Sequence, residues 1–240
     1  MLLHPFPMDA SFWGPMWREL AADVTLLTPE FPGFGAEPLA GSPSIEAFAD
    51  DVADAIRAEE AGPATVVGLS LGGYVALAIA VRHPDVVASL VLANTRAEAE
   101  DGAGRRGREA AIDTIRIDGL DTFLATLLPR LLGPDASPEA WEAADASAGG
   151  QDPDAVCSAL EALRDRPDRR GDLAAIAVPT IVVAGADDAV TPLESARALA
   201  AGIPGATLEV IESAGHLSAL ERPVAFAAVV AAALGGESGG

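Results

Sequence analysis

Thr65-Val66-Val67-Gly68-Leu69-Ser70-Leu71-Gly72-Gly73 is the stretch that decides the fold. Its β-branched, apolar start predicts a buried strand, and the small residues from Gly72 to Arg82 predict a helix directly behind it. Between the two lies Gly68-x-Ser70-x-Gly72. A strand that turns at once into a helix forces the serine into a strained elbow. Glycines on both sides remove the Cβ atoms that would otherwise collide. The hydroxyl of Ser70 then stands above the C-terminal edge of a sheet. The next N–H, at Leu71, sits at a helix N-terminus, where a developing negative charge is favoured. A phosphate-cradling loop is the poorer reading, because it needs a lysine and the chain has none.

Outward from the elbow, short apolar runs alternate with helix-period segments, the pattern of a parallel α/β protein. Strands are predicted at Met1 to His4, Val24 to Thr28, Thr65 to Val67, Ala88 to Ala93, Thr180 to Ala184 and Thr207 to Ile211. Helices are predicted at Trp13 to Ala22, Ile45 to Glu60 with Ser44 as N-cap, Gly72 to Arg82, Leu193 to Ala201 and Pro223 to Leu234. From about Arg96 to Leu173 the strand rhythm stops. Helix-prone stretches such as Gly119 to Leu132 and Asp154 to Arg164 take over, which reads as a helical cap inserted over the sheet. The expected division is a core of residues 1–95 and 174–240 with a cap of residues 96–173. The tail from Gly235 to Gly240 is expected to be disordered.

The chain has 240 residues, half of them hydrophobic, enough for a full core without disulfides. Its 36 acidic residues face 15 basic ones, all arginine, for a formal charge of −21. Nucleic-acid phosphates and anionic membrane surfaces would be repelled, so neither is an expected partner. The single cysteine, Cys157, cannot form an internal disulfide and has no activating neighbour in sequence. No secretory leader and no apolar run of about 20 residues is visible. A cytoplasmic protein is the expectation.

A serine nucleophile needs a base, and there are three histidines. His83 ends the helix after Ser70, roughly 20 Å away at about 1.5 Å per residue. His4 closes the first strand. His216 lies between the last strand and the last helix, on the same sheet edge as Ser70, and is the candidate base. The base needs a carboxylate to fix its tautomer. Asp187 and Asp188 follow the strand ending at Ala184 and reach that edge as well, whereas the neighbouring strand offers only the uncharged Asn94. The residues alone leave both aspartates open.

Ser70, then an aspartate, then His216, in that order on three strand ends, resembles the α/β-hydrolase superfamily. Leu2-Leu3-His4-Pro5-Phe6-Pro7-Met8-Asp9, Phe31-Pro32-Gly33-Phe34-Gly35, Asp187-Asp188-Ala189-Val190-Thr191-Pro192 and Gly215-His216 carry the same likeness. The resemblance implies a three-layer α/β sandwich with a mainly parallel sheet of about six strands, the family's first two strands being missing. It selects Asp188, four residues before Pro192, as the acid. It also implies that Phe6 supplies the second oxyanion N–H beside that of Leu71. Relatives commonly carry glycine where this chain has Pro5. Proline removes only its own N–H and leaves that of Phe6 in place. With two strands missing, Val24 to Thr28 is expected to be a bare sheet edge, through which a homodimer is expected to pair.

Leu92-Ala93-Asn94-Thr95-Arg96 leading into a modest helical insertion is similar to 3-oxoadipate enol-lactonases and small carboxylesterases. That likeness implies a small-molecule ester or lactone substrate, cleaved through an acyl-enzyme on Ser70, with no metal or organic cofactor. The same triad also serves cofactor-free haloperoxidases (perhydrolases), acyltransferases and C–C hydrolases, and some proteins of the fold are non-catalytic ligand receptors. Phe123, Leu124, Leu127, Leu128 and Leu131 recur at helical spacing, either to line an apolar cleft over Ser70 or to dock the insertion. Trp13 is a further pocket candidate, although packing is the plainer reading for it and for Trp141. Arg116 and Arg130 are weighed as anchors for a substrate carboxylate, with a surface role the plainer one.

Overall fold

The computed structural model describes residues 1–20, 24–41 and 43–235. Five parallel strands form one sheet in the order β1 (Leu2–Leu3), β2 (Ala64–Leu69), β3 (Val87–Ala93), β4 (Thr180–Gly185) and β5 (Thr207–Ile211). The three central strands are near-continuous apolar runs because both of their faces are covered. Helices α2 (Ile45–Ala58), α3 (Leu71–Arg82) and α8 (Leu193–Gly202) are the crossovers. Every crossover steps in the same direction, and right-handed connections then leave these helices on one face. The helix α10 (Pro223–Gly235) follows the last strand and packs across β2 to β5, joined by the single turn α1 (Gly14–Trp17). The result is the expected three-layer α/β sandwich.

Local signals explain the boundaries. Ser44 caps α2 by accepting the Ala47 N–H at 3.0 Å. Along α2, Ile45, Phe48, Ala49, Val52, Ala53 and Ile56 form the buried stripe of an amphipathic helix. Between β3 and β4 lie four helices, α4 (Gly102–Asp118), α5 (Leu120–Leu131), α6 (Pro138–Gly149) and α7 (Pro153–Asp165). Asp101, Ser137 and Asp152 cap α4, α6 and α7 with their side-chain oxygens. The one-turn helix α9 (Ser218–Glu221) completes the set.

Two expectations need correction. Val24 to Thr28 is not a strand, so among the described residues the sheet has five strands and not six. The segment touches the sheet through the Leu2 N–H, which donates to Leu27 O at 2.8 Å. With β1 only two residues long, there is too little ladder to hold a longer partner. The expected dimer edge therefore lacks its strand. The helix predicted over Trp13 to Ala22 is a 3₁₀ turn at Ala10–Trp13 followed by α1, with turns through Leu20. Ala21 and Ala22 lie outside the described residues, as do residues 236–240 of the expected disordered tail. Gly235 is the last residue of α10.

Candidate active site

Ser70 links β2 to α3 with φ 54° and ψ −110°, a conformation strained for any residue with a Cβ. The chain can enter it because of its flanking glycines. A Cβ at Gly68 would overlap the Gly72 carbonyl, and one at Gly72 would overlap the carbonyl of Leu3 in β1. The elbow is further held by the Ser70 N–H, which donates to Ala93 O at 2.9 Å, and by Thr95 Oγ1, which donates to Ser70 O at 3.1 Å.

The three strand ends meet. Ser70 Oγ lies 2.8 Å from His216 Nε2, and His216 Nδ1 lies 2.9 Å from Asp188 Oδ2. Asp188 is buried, and its Oδ2 also accepts from Asn94 Nδ2 at 2.8 Å and Thr191 Oγ1 at 2.6 Å. Its Oδ1 accepts the N–H groups of Val190 and Thr191 at 2.8 and 2.9 Å. Burial alone would raise the Asp188 pKa. The His216 ring, Asn94 and Thr191 outweigh it and hold the carboxyl well below the usual carboxylate range. Asp187 is exposed, and only its main chain is tied in, through N–H donation to Ala214 O at 2.9 Å. The loop bearing His216 is pinned by its own N–H, which donates to Leu131 O at 2.8 Å.

The other histidines are engaged elsewhere. His83 sits at the far end of α3, with Nε2 2.7 Å from Asp50 Oδ1. His4 is fully buried, and its Nε2 accepts the Phe31 N–H at 3.1 Å. Burial lowers its pKa to about 4, so the ring is neutral at pH 7. Leu3 pairs in register with Gly68, so the residues that follow β1 run beside the elbow and bring Phe6 to Ser70's side. Leu71 opens α3, where the first N–H groups have no intrahelical acceptor.

A cavity of about 370 Å³ opens over this cluster, lined by Phe6, Ser70 and His216 together with Phe123 and Leu127 of α5. Leu124 and Leu128 are absent from the lining: both are buried on α5, which packs against α4 and α6. Trp13 is absent too, being fully buried against Phe12 and Phe226. Arg130 and Leu131 reach the cavity wall, whereas Arg116 is exposed, 3.9 Å from Glu161. Trp141 is partly exposed and Cys157 is buried, its thiol pKa raised chiefly by that burial. Tyr74, Arg96, Glu100 and Arg108 also line the cavity, although none of them was among the expected pocket residues. Arg96 was legible in principle, since it follows β3 on the same edge as Ser70. Arg108 was not, because the Gly-rich start of α4 hides the helix that carries it.

A model of the alpha/beta hydrolase family matches residues 1–229. Over 237 aligned residues the chain is 34% identical to a pimeloyl-[acyl-carrier protein] methyl ester esterase of Aromatoleum aromaticum, covering 93% of this chain and 92% of that protein. Among solved structures, a thermophilic esterase from Thermogutta terrifontis superposes with a TM-score of 0.92 at 31% identity, covering 98% of this chain and 88% of the other. The enol-lactonase from Burkholderia xenovorans gives a TM-score of 0.88 at 27% identity, with 98% and 90% covered.

Proposed function

This chain belongs to the alpha/beta hydrolase family, and from that premise we propose that it is a serine hydrolase cleaving a carboxylic ester, open-chain or lactone, through an acyl-enzyme on Ser70. His216 Nε2 takes the Ser70 proton as Oγ bonds to the acyl carbon. The N–H groups of Phe6 and Leu71 receive the oxyanion, each donor contributing about 3 kcal/mol in the transition state. Asp188 stabilises the imidazolium without taking its proton. When the tetrahedral intermediate collapses, the alkoxide leaves with the proton from His216; in a lactone it stays tethered to the acyl group. A water then gives its proton to His216 and attacks the acyl carbon, and Ser70 regains a proton as the carboxylic acid departs. Residues 96–173 act as a cap that shapes the cavity over a core of residues 1–95 and 174–240.

One observation carries this proposal: the unbroken relay from Asp188 through His216 to Ser70, at 2.9 and 2.8 Å, under an open cavity. The names of its relatives, two esterases and an enol-lactonase, support the choice of bond. The test is a fluorophosphonate probe followed by p-nitrophenyl acetate turnover. Wild type should be labelled and Ser70→Ala should not, and His216→Ala should turn over no ester. An unlabelled wild type would overturn the proposal in favour of a ligand-binding role.

A further inference from the structure

The cavity's lining has a charge opposite to that of the chain. Its charged residues include Arg96, Arg108 and Arg130 against the single carboxylate Glu100, in a protein of formal charge −21. Glu100 is only 5% exposed and acts as a hub. It accepts from Arg96 Nη2 at 2.9 Å and from Arg108 Nε and Nη2 at 3.1 and 2.9 Å, and it pairs with Arg166 Nη1 at 2.9 Å. Burial alone would raise its pKa, but Arg166 and Arg108 prevail and lower it to about 2. A Cβ at Gly104 would overlap this carboxylate, so glycine is what lets α4 pass so close.

One carboxylate cannot neutralise three guanidinium groups. Glu98, the other acid near Arg96, forms no ion pair with it among the described residues, and its Oε2 is buried without a partner. Arg166 is sealed in, stacked 4.3 Å over the ring of Tyr74. Arg96, which also interacts with Tyr74, and Arg108 instead remain 27% and 25% exposed. Both side chains are thus pre-oriented by Glu100, with donors left over on the wall of the cavity that holds Ser70.

We infer that Arg96 and Arg108 form a carboxylate subsite. The preferred substrate is then an ester or lactone whose acyl chain carries a second, ionised carboxyl group at its far end. This rests on the hydrolase proposal above. Monomethyl adipate and methyl hexanoate share a six-carbon acyl chain and differ in that group alone. Wild type should favour monomethyl adipate by about tenfold or more in kcat/KM at low salt, and sodium chloride should shrink the preference. Arg96→Gln and Arg108→Gln should each lower the ratio several-fold. A partly unfolded variant loses both substrates in proportion, so the ratio reports on recognition alone. Calorimetric titration of Ser70→Ala with monomethyl adipate adds a readout free of turnover. A wild-type ratio near one, or a preference that survives both arginine substitutions, overturns the subsite and leaves the hydrolase proposal standing. If wild type cleaves neither ester while Ser70→Ala binds monomethyl adipate through the arginines, the hydrolase proposal falls and the subsite stands.

Discussion

Both carboxylate oxygens of Glu221 accept the N–H of Gly215, each at 3.0 Å, immediately before His216. The same side chain, buried at the last residue of α9, also accepts the N–H of Gly133 at 2.9 Å, from the turn that follows α5. Glu221 therefore fastens the histidine loop to the helices above it. Glu221→Ala should leave two buried donors without acceptors and cost roughly 2–4 kcal/mol. Denaturant unfolding should show that loss, with kcat falling as His216 drifts. Glu221→Gln keeps one acceptor oxygen and should fall between the two. An alanine variant as stable as wild type would show that the tie is dispensable.

Asp188 and Asp187 are neighbours with opposite surroundings. Asp188→Asn should lower kcat by about 10⁴, because an amide donating to Nδ1 favours the wrong tautomer. Asp187→Asn, exposed and away from the relay, should stay within about twofold of wild type. Steady-state turnover of one ester by the two variants decides it, and a larger loss in Asp187→Asn would reverse the assignment.

Strain at the elbow predicts a trade between stability and activity. With φ at 54°, Ser70 is held where a glycine would rest more easily. Ser70→Gly should lose fluorophosphonate labelling yet unfold about 2–4 °C higher, the shift for roughly 1 kcal/mol in a chain of this size. Calorimetry checks it, and a lower melting temperature would mean that the hydroxyl's bond to His216 outweighs the strain.

His4 makes stability depend on acid. Its folded pKa, lowered to about 4 by burial, lies below its unfolded value of 6.5. The unfolded chain therefore binds the proton more readily. His4's contribution is complete above about pH 6.5 and is lost as pH falls through about 4, by roughly 3 kcal/mol. His4→Gln keeps an acceptor for the Phe31 N–H and cannot titrate. Its stability curve should be flatter across that window. Parallel curves for the two proteins would show that His4 is not the group responsible.

By itself the sequence determined the elements whose causes are local. The strand–elbow–helix at Ser70, the cap at Ser44, the apolar runs of the central strands and the order of serine, acid and histidine are all written in neighbouring residues or fixed spacings. The family likeness then singled out Asp188, which the local pattern could not distinguish from Asp187. Tertiary structure decided what depends on partners distant along the chain. Val24 to Thr28 has the composition of a strand, but a strand exists only where a neighbour offers a ladder, and β1 is two residues long. Phe123 and Leu127 face the cavity while Leu124 and Leu128 are buried in packing, because the rotation of α5 is set by α4 and α6. The arginines around Glu100 carry no local signal of a shared role, since their value comes from convergence across α4, the end of β3 and the segment after α7. Local propensity acts through the next few residues, whereas charge and packing act through space, and only the folded chain brings those charges within reach of one another.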